Sequence, residues 1–135
     1  MATNIDPQTR LANLSLAGVP ADATPFRSVT PVVNTGAAVI AIKAAVTGKR
    51  HWITQWETTN ITAGEYPVCE LMQDEASAAL VLAVQAHNNG HAAGKGTVVT
   101  VFNPPIEVAS GKSIGFKLQT ATGDVHSSVA GFVES

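Results

Sequence analysis

Charged side chains are scarce in this chain of 135 residues. Asp, Glu, Lys and Arg make up 13% of it, where globular proteins average about 25%. Eight basic residues against ten acidic ones leave a net charge of −2, and no basic run exceeds Lys49-Arg50. Phosphate neutralisation needs a basic stripe, and single-strand or RNA readout needs several exposed aromatics. Aromatics are only 5% of the chain, so no nucleic acid partner is expected. A single cysteine, Cys69, excludes an internal disulfide and with it the disulfide-framework class of secreted domains. It lies in the apolar run from Tyr66 to Met72 and reads as a small core hydrophobe, without the neighbouring base that a nucleophile needs. Long apolar runs are missing too. Ala37–Ile42 and Ala78–Val84 are far too short to span a bilayer, and Met1–Pro7 has no basic stretch leading into an apolar one. The expectation is synthesis in the cytoplasm without a secretory signal, and no membrane partner.

Hydrophobic residues, by contrast, make up 45% of the chain. A surface poor in charge is either polar and neutral or covered by something, and association surfaces lose Lys, Glu and Asp at their centres. Residues 1–28 differ from the rest. They hold Pro7, Pro20, Pro25 and Gly18 and show no sustained alternation. Asp6-Pro7 is a helix-start signal and Gly18 a stop, so residues 7–16 are expected to form a brief helix and the remainder to be extended. Leu11, Leu14, Leu16, Val19 and Phe26 give this arm apolar anchors, which a merely disordered tail has little reason to keep. They are the candidate oligomer contacts, since an arm with apolar anchors lies on its own body or on a neighbour.

From Val29 onward, Val, Ile and Thr abound and turn residues recur every 8–12 positions. This is the pattern of an all-β sandwich or barrel. Strands are expected at about 29–34, 37–46, 50–60, 66–73, 78–86, 96–103, 113–120 and 124–134. The alternation is clearest at Ile114, Phe116 and Leu118, which face inward against Lys117 and Gln119. Ala78–Val84 is apolar on both faces, as in a central strand or a helix; its length and context favour a strand. The reading is an antiparallel β-sandwich of jelly-roll type, about eight strands over residues 29–135, preceded by the extended arm at 1–28.

Near-motifs of chemistry fail on inspection. Ser110-Gly111-Lys112-Ser113 ends like a phosphate-binding loop, but Ile106 stands where the first glycine is needed, and a strand follows in place of a helix. His87 and His91 are four apart, yet Asn88-Asn89-Gly90 breaks any helix that would align them on a metal. His126, Ser127 and Ser128 are sequence neighbours, whereas a triad converges from separate elements. Glu57, Glu65, Glu70, Asp74, Glu75, Glu107 and Asp124 are scattered and single out no pair. Asn13-Leu14-Ser15 and Asn60-Ile61-Thr62 match the glycosylation pattern without a secretory signal. No catalytic residue, metal or cofactor is expected. Trp52 and Trp56 share one face of the third expected strand in a strict alternation. Exposed, they would form a stacking platform; buried, they would be core or interface anchors, and burial is favoured.

Two runs carry a resemblance. Thr47-Gly48-Lys49-Arg50 leads into His51-Trp52-Ile53-Thr54 and Thr58-Thr59-Asn60. Phe102-Asn103-Pro104-Pro105-Ile106-Glu107-Val108-Ala109-Ser110-Gly111-Lys112 leads into a strand, and a valine-rich strand from Val125 to Val133 ends the chain. In these, residues 29–134 resemble the capsid cement (decoration) proteins of tailed bacteriophages. Similar runs occur in fibre and spike modules. The resemblance implies a non-enzymatic structural protein of the virion, a homotrimer bound to the major capsid protein on the capsid surface, with the arm reaching between subunits or onto capsid protein, so that Leu11, Leu14, Leu16, Val19 and Phe26 become oligomer or capsid contacts. The alternative expectation is a receptor- or glycan-binding module of a fibre, with Trp52 and Trp56 exposed.

Overall fold

The computed structural model describes residues 18–30, 39–62, 65–74, 80–87, 96–119 and 124–135. They form eight strands: β1 (Thr24–Val29), β2 (Ile40–Lys43), β3 (His51–Asn60), β4 (Val68–Gln73), β5 (Leu80–Ala86), β6 (Gly96–Val108), β7 (Ile114–Leu118) and β8 (Val125–Val133). Two antiparallel four-stranded sheets result, ordered β1-β8-β3-β6 and β2-β7-β4-β5. Only β4 and β5 are both consecutive in sequence and neighbours in one sheet; every other connection crosses between sheets. This is the double-sheet jelly-roll arrangement, and the all-β sandwich expected from the sequence is what forms.

The core lies between the sheets. Ile53, Trp56, Val125 and Val129 from the first sheet meet Cys69, Leu71, Ile114, Phe116 and Leu118 from the second, all fully buried. The alternation of β7 works as read: Ile114, Phe116 and Leu118 are buried, Lys117 is half-buried and Gln119 is exposed. Period-2 burial requires one face on the core, which the stacked sheets supply. The turn before β7 is closed by Lys112 N–H donating to the Ala109 carbonyl at 3.1 Å. Gly111 sits there at φ 73°, a conformation that disfavours a Cβ. The phosphate-loop look-alike is therefore a turn, and its Lys112 pairs with Asp74 at 3.0 Å.

Three expectations change. Residues 24–28, assigned to the arm, form most of β1, whose register with β8 runs from Thr24↔Val133 to Val29↔Ser128. The body thus begins by Thr24. The strand expected in the run at 78–84 is described from Leu80 as β5, but it is an edge strand instead of a central one. The third change lies in β3. Ile53 pairs with Gly131 and Gln55 with Ala130, so Thr54 is an extra residue. A bulge of one residue reverses the side-chain parity beyond it. Trp56 consequently joins Ile53 in the core, and Trp52 lies outside that cluster. The two tryptophans do not share a face. The expected helix at 7–16 lies outside the described residues.

Candidate functional site

Leu11, Leu14 and Leu16 lie outside the described residues. Val19 is half-buried. Phe26, expected on a neighbouring subunit, packs against the chain's own core. Its ring meets His51 edge-on, with centroids 5.6 Å apart and planes at 87°, and the Lys43 ammonium lies 5.5 Å above it. Phe26 is therefore an anchor of β1 within one chain.

Trp52 and Trp56 are 2% and 0% exposed. The indole N–H of Trp56 donates to the Ser127 hydroxyl at 2.9 Å. The Arg50 guanidinium covers Trp52 at 5.0 Å from the ring centroid. Arg50 is itself held by Glu134 at 2.9 Å and Glu107 at 3.2 Å. These carboxylates, chiefly through hydrogen bonds, raise the Arg50 pKa further, and Arg50 lowers that of Glu134. Neither indole is available as a sugar-stacking platform in the single chain; of the two readings of this pair, burial is the one the structure shows.

A buried polar network that the sequence did not disclose joins the two sheets on the β5–β6 side. The Thr58 hydroxyl donates to Gln85 Oε1 at 2.6 Å and meets His87 Nε2 at 2.8 Å. A hydroxyl carries one proton, so the imidazole is the donor in the second bond. Gln85 Nε2 donates to the Trp56 carbonyl at 3.1 Å and to the Thr100 hydroxyl at 3.0 Å. With both amide hydrogens and the carbonyl used, Gln85 is accommodated in an apolar surrounding at low cost. Nearby Cys69 is fully buried. Burial pushes its thiol pKa up to about 12, against a weaker opposing effect of the Thr58 hydroxyl. A thiol held protonated is a poor nucleophile.

Several of the remaining chemical candidates are structurally engaged. His87 bonds Thr58, and His91 lies outside the described residues. His126 is exposed and Ser127 buried on alternating positions of β8, and Ser127 is engaged by Trp56. Asn60 is 1% exposed, with its amide donating to the Glu65 carbonyl and accepting from Thr62 N–H. Glu70 faces Lys117 at 3.5 Å. No group of three or more His, Cys, Asp or Glu that would hold a metal occurs among the described residues. An open cleft of about 110 Å³ lies on the outer face of the first sheet, lined by Arg27, Val29, Glu57, Thr59, His126 and Ser128. Sites for drug-sized ligands run to roughly 300–1,000 Å³. No helix among the described residues is long and apolar enough to cross a membrane.

The surface that stands out is apolar. Leu80, Val81 and Val84 on β5 are 59%, 44% and 54% exposed, and Val99 and Val101 on β6 are 49% and 69% exposed. Both strands are sheet edges, and the Gln85–Thr100 bond places them on the same side of the sandwich. Neither contains a charged residue except Glu107 near the end of β6. Free edges in monomers usually carry charges that discourage pairing.

No protein-family model matches the chain, and no curated protein matches its sequence. Among solved structures, the chain is similar to the Drosophila NLP-core, a structure described for its insight into pentamer formation and histone binding. The identity is 16% over 84% of this chain and 100% of that one, with a TM-score of 0.43. A likeness at that level carries no argument about partners or assembly.

Proposed function

We propose that this chain is a self-associating structural protein which coats and stabilises an assembled virus capsid as a homo-oligomer, with a trimer as the expected form. The observation that carries self-association is the uncharged, apolar flank of β5 and β6, where five large aliphatic side chains are 44–69% exposed on two strands that are sheet edges among the described residues. Contacts that cover such a flank bury apolar area and remove the edge liability together. The capsid as the coated lattice rests on the resemblance of the runs at 47–60 and 102–112 to cement proteins. A protein that binds the assembled lattice and not its free subunits stabilises the assembly by linkage, and many copies on one symmetric shell add avidity. The glycan-module alternative loses its main support, since the tryptophan platform it needs is buried.

The test is solution mass by light scattering, for the full chain and for a chain lacking residues 1–17, followed by co-sedimentation with assembled heads and with free capsid protein. Removing residues 1–28 would take five of the six residues of β1 and confound an arm effect with loss of a strand. The expected result is a stable oligomer that sediments with assembled heads only. A monomer at all concentrations, or equal binding to free capsid protein, overturns the proposal.

A further inference from the structure

We propose that His51 is an acid-sensitive latch for β1: at neutral pH its uncharged ring holds Phe26 and thereby the first strand on the sandwich, and protonation releases that strand. The geometry is a three-layer stack across three strands. His51 of β3 is 0% exposed. Phe26 of β1 lies edge-on against it at 5.6 Å, and the Lys43 ammonium of β2 caps Phe26 at 5.5 Å. Among the described residues, neither ring nitrogen of His51 has a hydrogen-bond partner.

Once this ring takes up a proton, the imidazolium finds no acceptor and no counter-charge among the described residues. In register with His51, β6 presents Val108 and β8 presents Val133. β1 presents Phe26, and the charged group facing from β2 is Lys43, which repels. On β3 itself the preceding residue is Arg50, a further cation. The carboxylates at this end, Glu134 and Glu107, are both bonded to Arg50. Burial first, and the Lys43 charge second, hold the imidazole pKa below its ordinary value. A buried charge without a partner or a hydrogen bond is not tolerated, so the imidazolium must reach water. The layer it displaces is Phe26.

β1 is poorly placed to resist. Among the described residues it is an edge paired only with β8, as β2 is with β7, but four of its six residues are exposed, against one of four in β2. Phe26 is the β1 side chain packed against the core. Residue Thr30, just after the strand, is tied to Ser127 by backbone and hydroxyl bonds, so opening is expected to proceed from the N-terminal end and stop there. Acid would thus free the stretch through which the preceding residues join the body, while β3, β8 and the core stay in place. This holds for the single chain and does not depend on the oligomer or on the capsid.

The experiment is hydrogen exchange at the β1 amides, corrected for intrinsic rates, between about pH 7.5 and about pH 4.5, for the wild type and His51→Phe. His51 C2 proton shifts are followed by NMR in the same range. The sign follows from linkage: the open form binds the proton at about pH 6.5 and the closed form only below that. Opening should therefore grow by up to about tenfold per pH unit as pH falls below about 6.5. The wild type is expected to lose β1 protection while the amides of β3 and β8 keep theirs, and His51→Phe is expected to show no such dependence. Unchanged β1 protection in acid, or an equal loss in His51→Phe, overturns the latch. If His51→Phe does not fold, the wild-type titration decides: an imidazole titrating at its ordinary value of about 6.5 overturns it, and one that stays neutral until β1 opens supports it.

Discussion

Trp56 and Ser127 are joined by a hydrogen bond of 2.9 Å inside the core, across the β3–β8 pair. Ser127 also ties its backbone to Thr30. The serine in a valine-rich strand thus serves one of the two largest buried side chains, whose N–H has no access to water. Ser127→Ala should leave that donor unpaired in the core and destabilise the protein by about 1–3 kcal/mol. Urea unfolding monitored by tryptophan fluorescence measures it. A change below about 0.5 kcal/mol would mean that Trp56 is satisfied elsewhere.

Gly131 and Gly111 should behave oppositely on substitution. A methyl group at Gly131 would collide with the Trp52 carbonyl oxygen and lie 3.1 Å from Ile53 Cα, both parts of the β3 backbone at the bulge. The strand cannot yield without losing its register with β8. Gly131→Ala should therefore cost about 3 kcal/mol or more, or prevent folding. At Gly111 a methyl group meets nothing within 4 Å. The cost there is the left-handed backbone alone, roughly 1–2 kcal/mol. Thermal denaturation of the two variants side by side tests the order.

The same bulge explains where sequence reasoning stopped. Alternation at Ile114, Phe116 and Leu118 was legible because that strand is regular and one face meets the core. In β3 an unbroken alternation places Trp52 and Trp56 together, and nothing in His51–Asn60 marks Thr54 as the extra residue. Gly131, the residue that lets the backbones approach, lies across the sheet and 77 positions further along the chain than Thr54. β1 was missed for a related reason. Thr24-Pro25-Phe26-Arg27-Ser28-Val29 has a proline, a charge and one large inward residue, so it owes its strand state to pairing with β8 more than to its own pattern. β5 was legible as a strand from its apolar run, but the same run implied burial on both faces. Its outward face is open in the single chain, and this is the part of the candidate site that only the topology shows. The Thr58–Gln85–His87 network joins strands far apart in sequence, and each residue alone reads as an ordinary polar strand or loop residue.

Cys69 should be chemically silent in the folded protein. It is fully buried, and its thiol pKa is pushed up to about 12. Thiol reagents need the thiolate, so at about pH 8, close to the free thiol's ordinary pKa of about 8.5, the native chain should show no labelling on the timescale in which the urea-unfolded chain labels fully. Mass spectrometry of intact protein reads both. Rapid native labelling would show that β4 opens readily.

Arg50 should control how dry Trp52 is. Its guanidinium lies on the outer side of that ring and is fixed by two carboxylates. Arg50→Ala should raise acrylamide quenching of tryptophan fluorescence, and Trp52→Phe in the same background should remove the gain. Arg50→Lys should restore little, because a lysine cannot span both carboxylates while lying flat on an indole. Equal quenching in all variants would assign the burial of Trp52 to the neighbouring strands.

The apolar flank gives the sharpest separation between folding and assembly. Val99 and Val101 face outward on β6, opposite Glu57 and Gln55 of β3, and are 49% and 69% exposed. Lysine at both positions adds charge where the single chain has solvent, so stability in urea should change by less than about 1 kcal/mol. In an interface, the same lysines would meet a desolvated surface, and burying an unpaired charge is prohibitive. The double variant Val99→Lys/Val101→Lys should therefore be folded and lower in solution mass than the wild type by light scattering. Leu80→Lys/Val84→Lys on β5 should act in the same direction if the two edges form one surface. A wild-type mass retained by both variants would place self-association elsewhere on the chain, with the residues before β1 as the next segment to test. Loss of folding in either variant would show that these side chains support the sandwich itself.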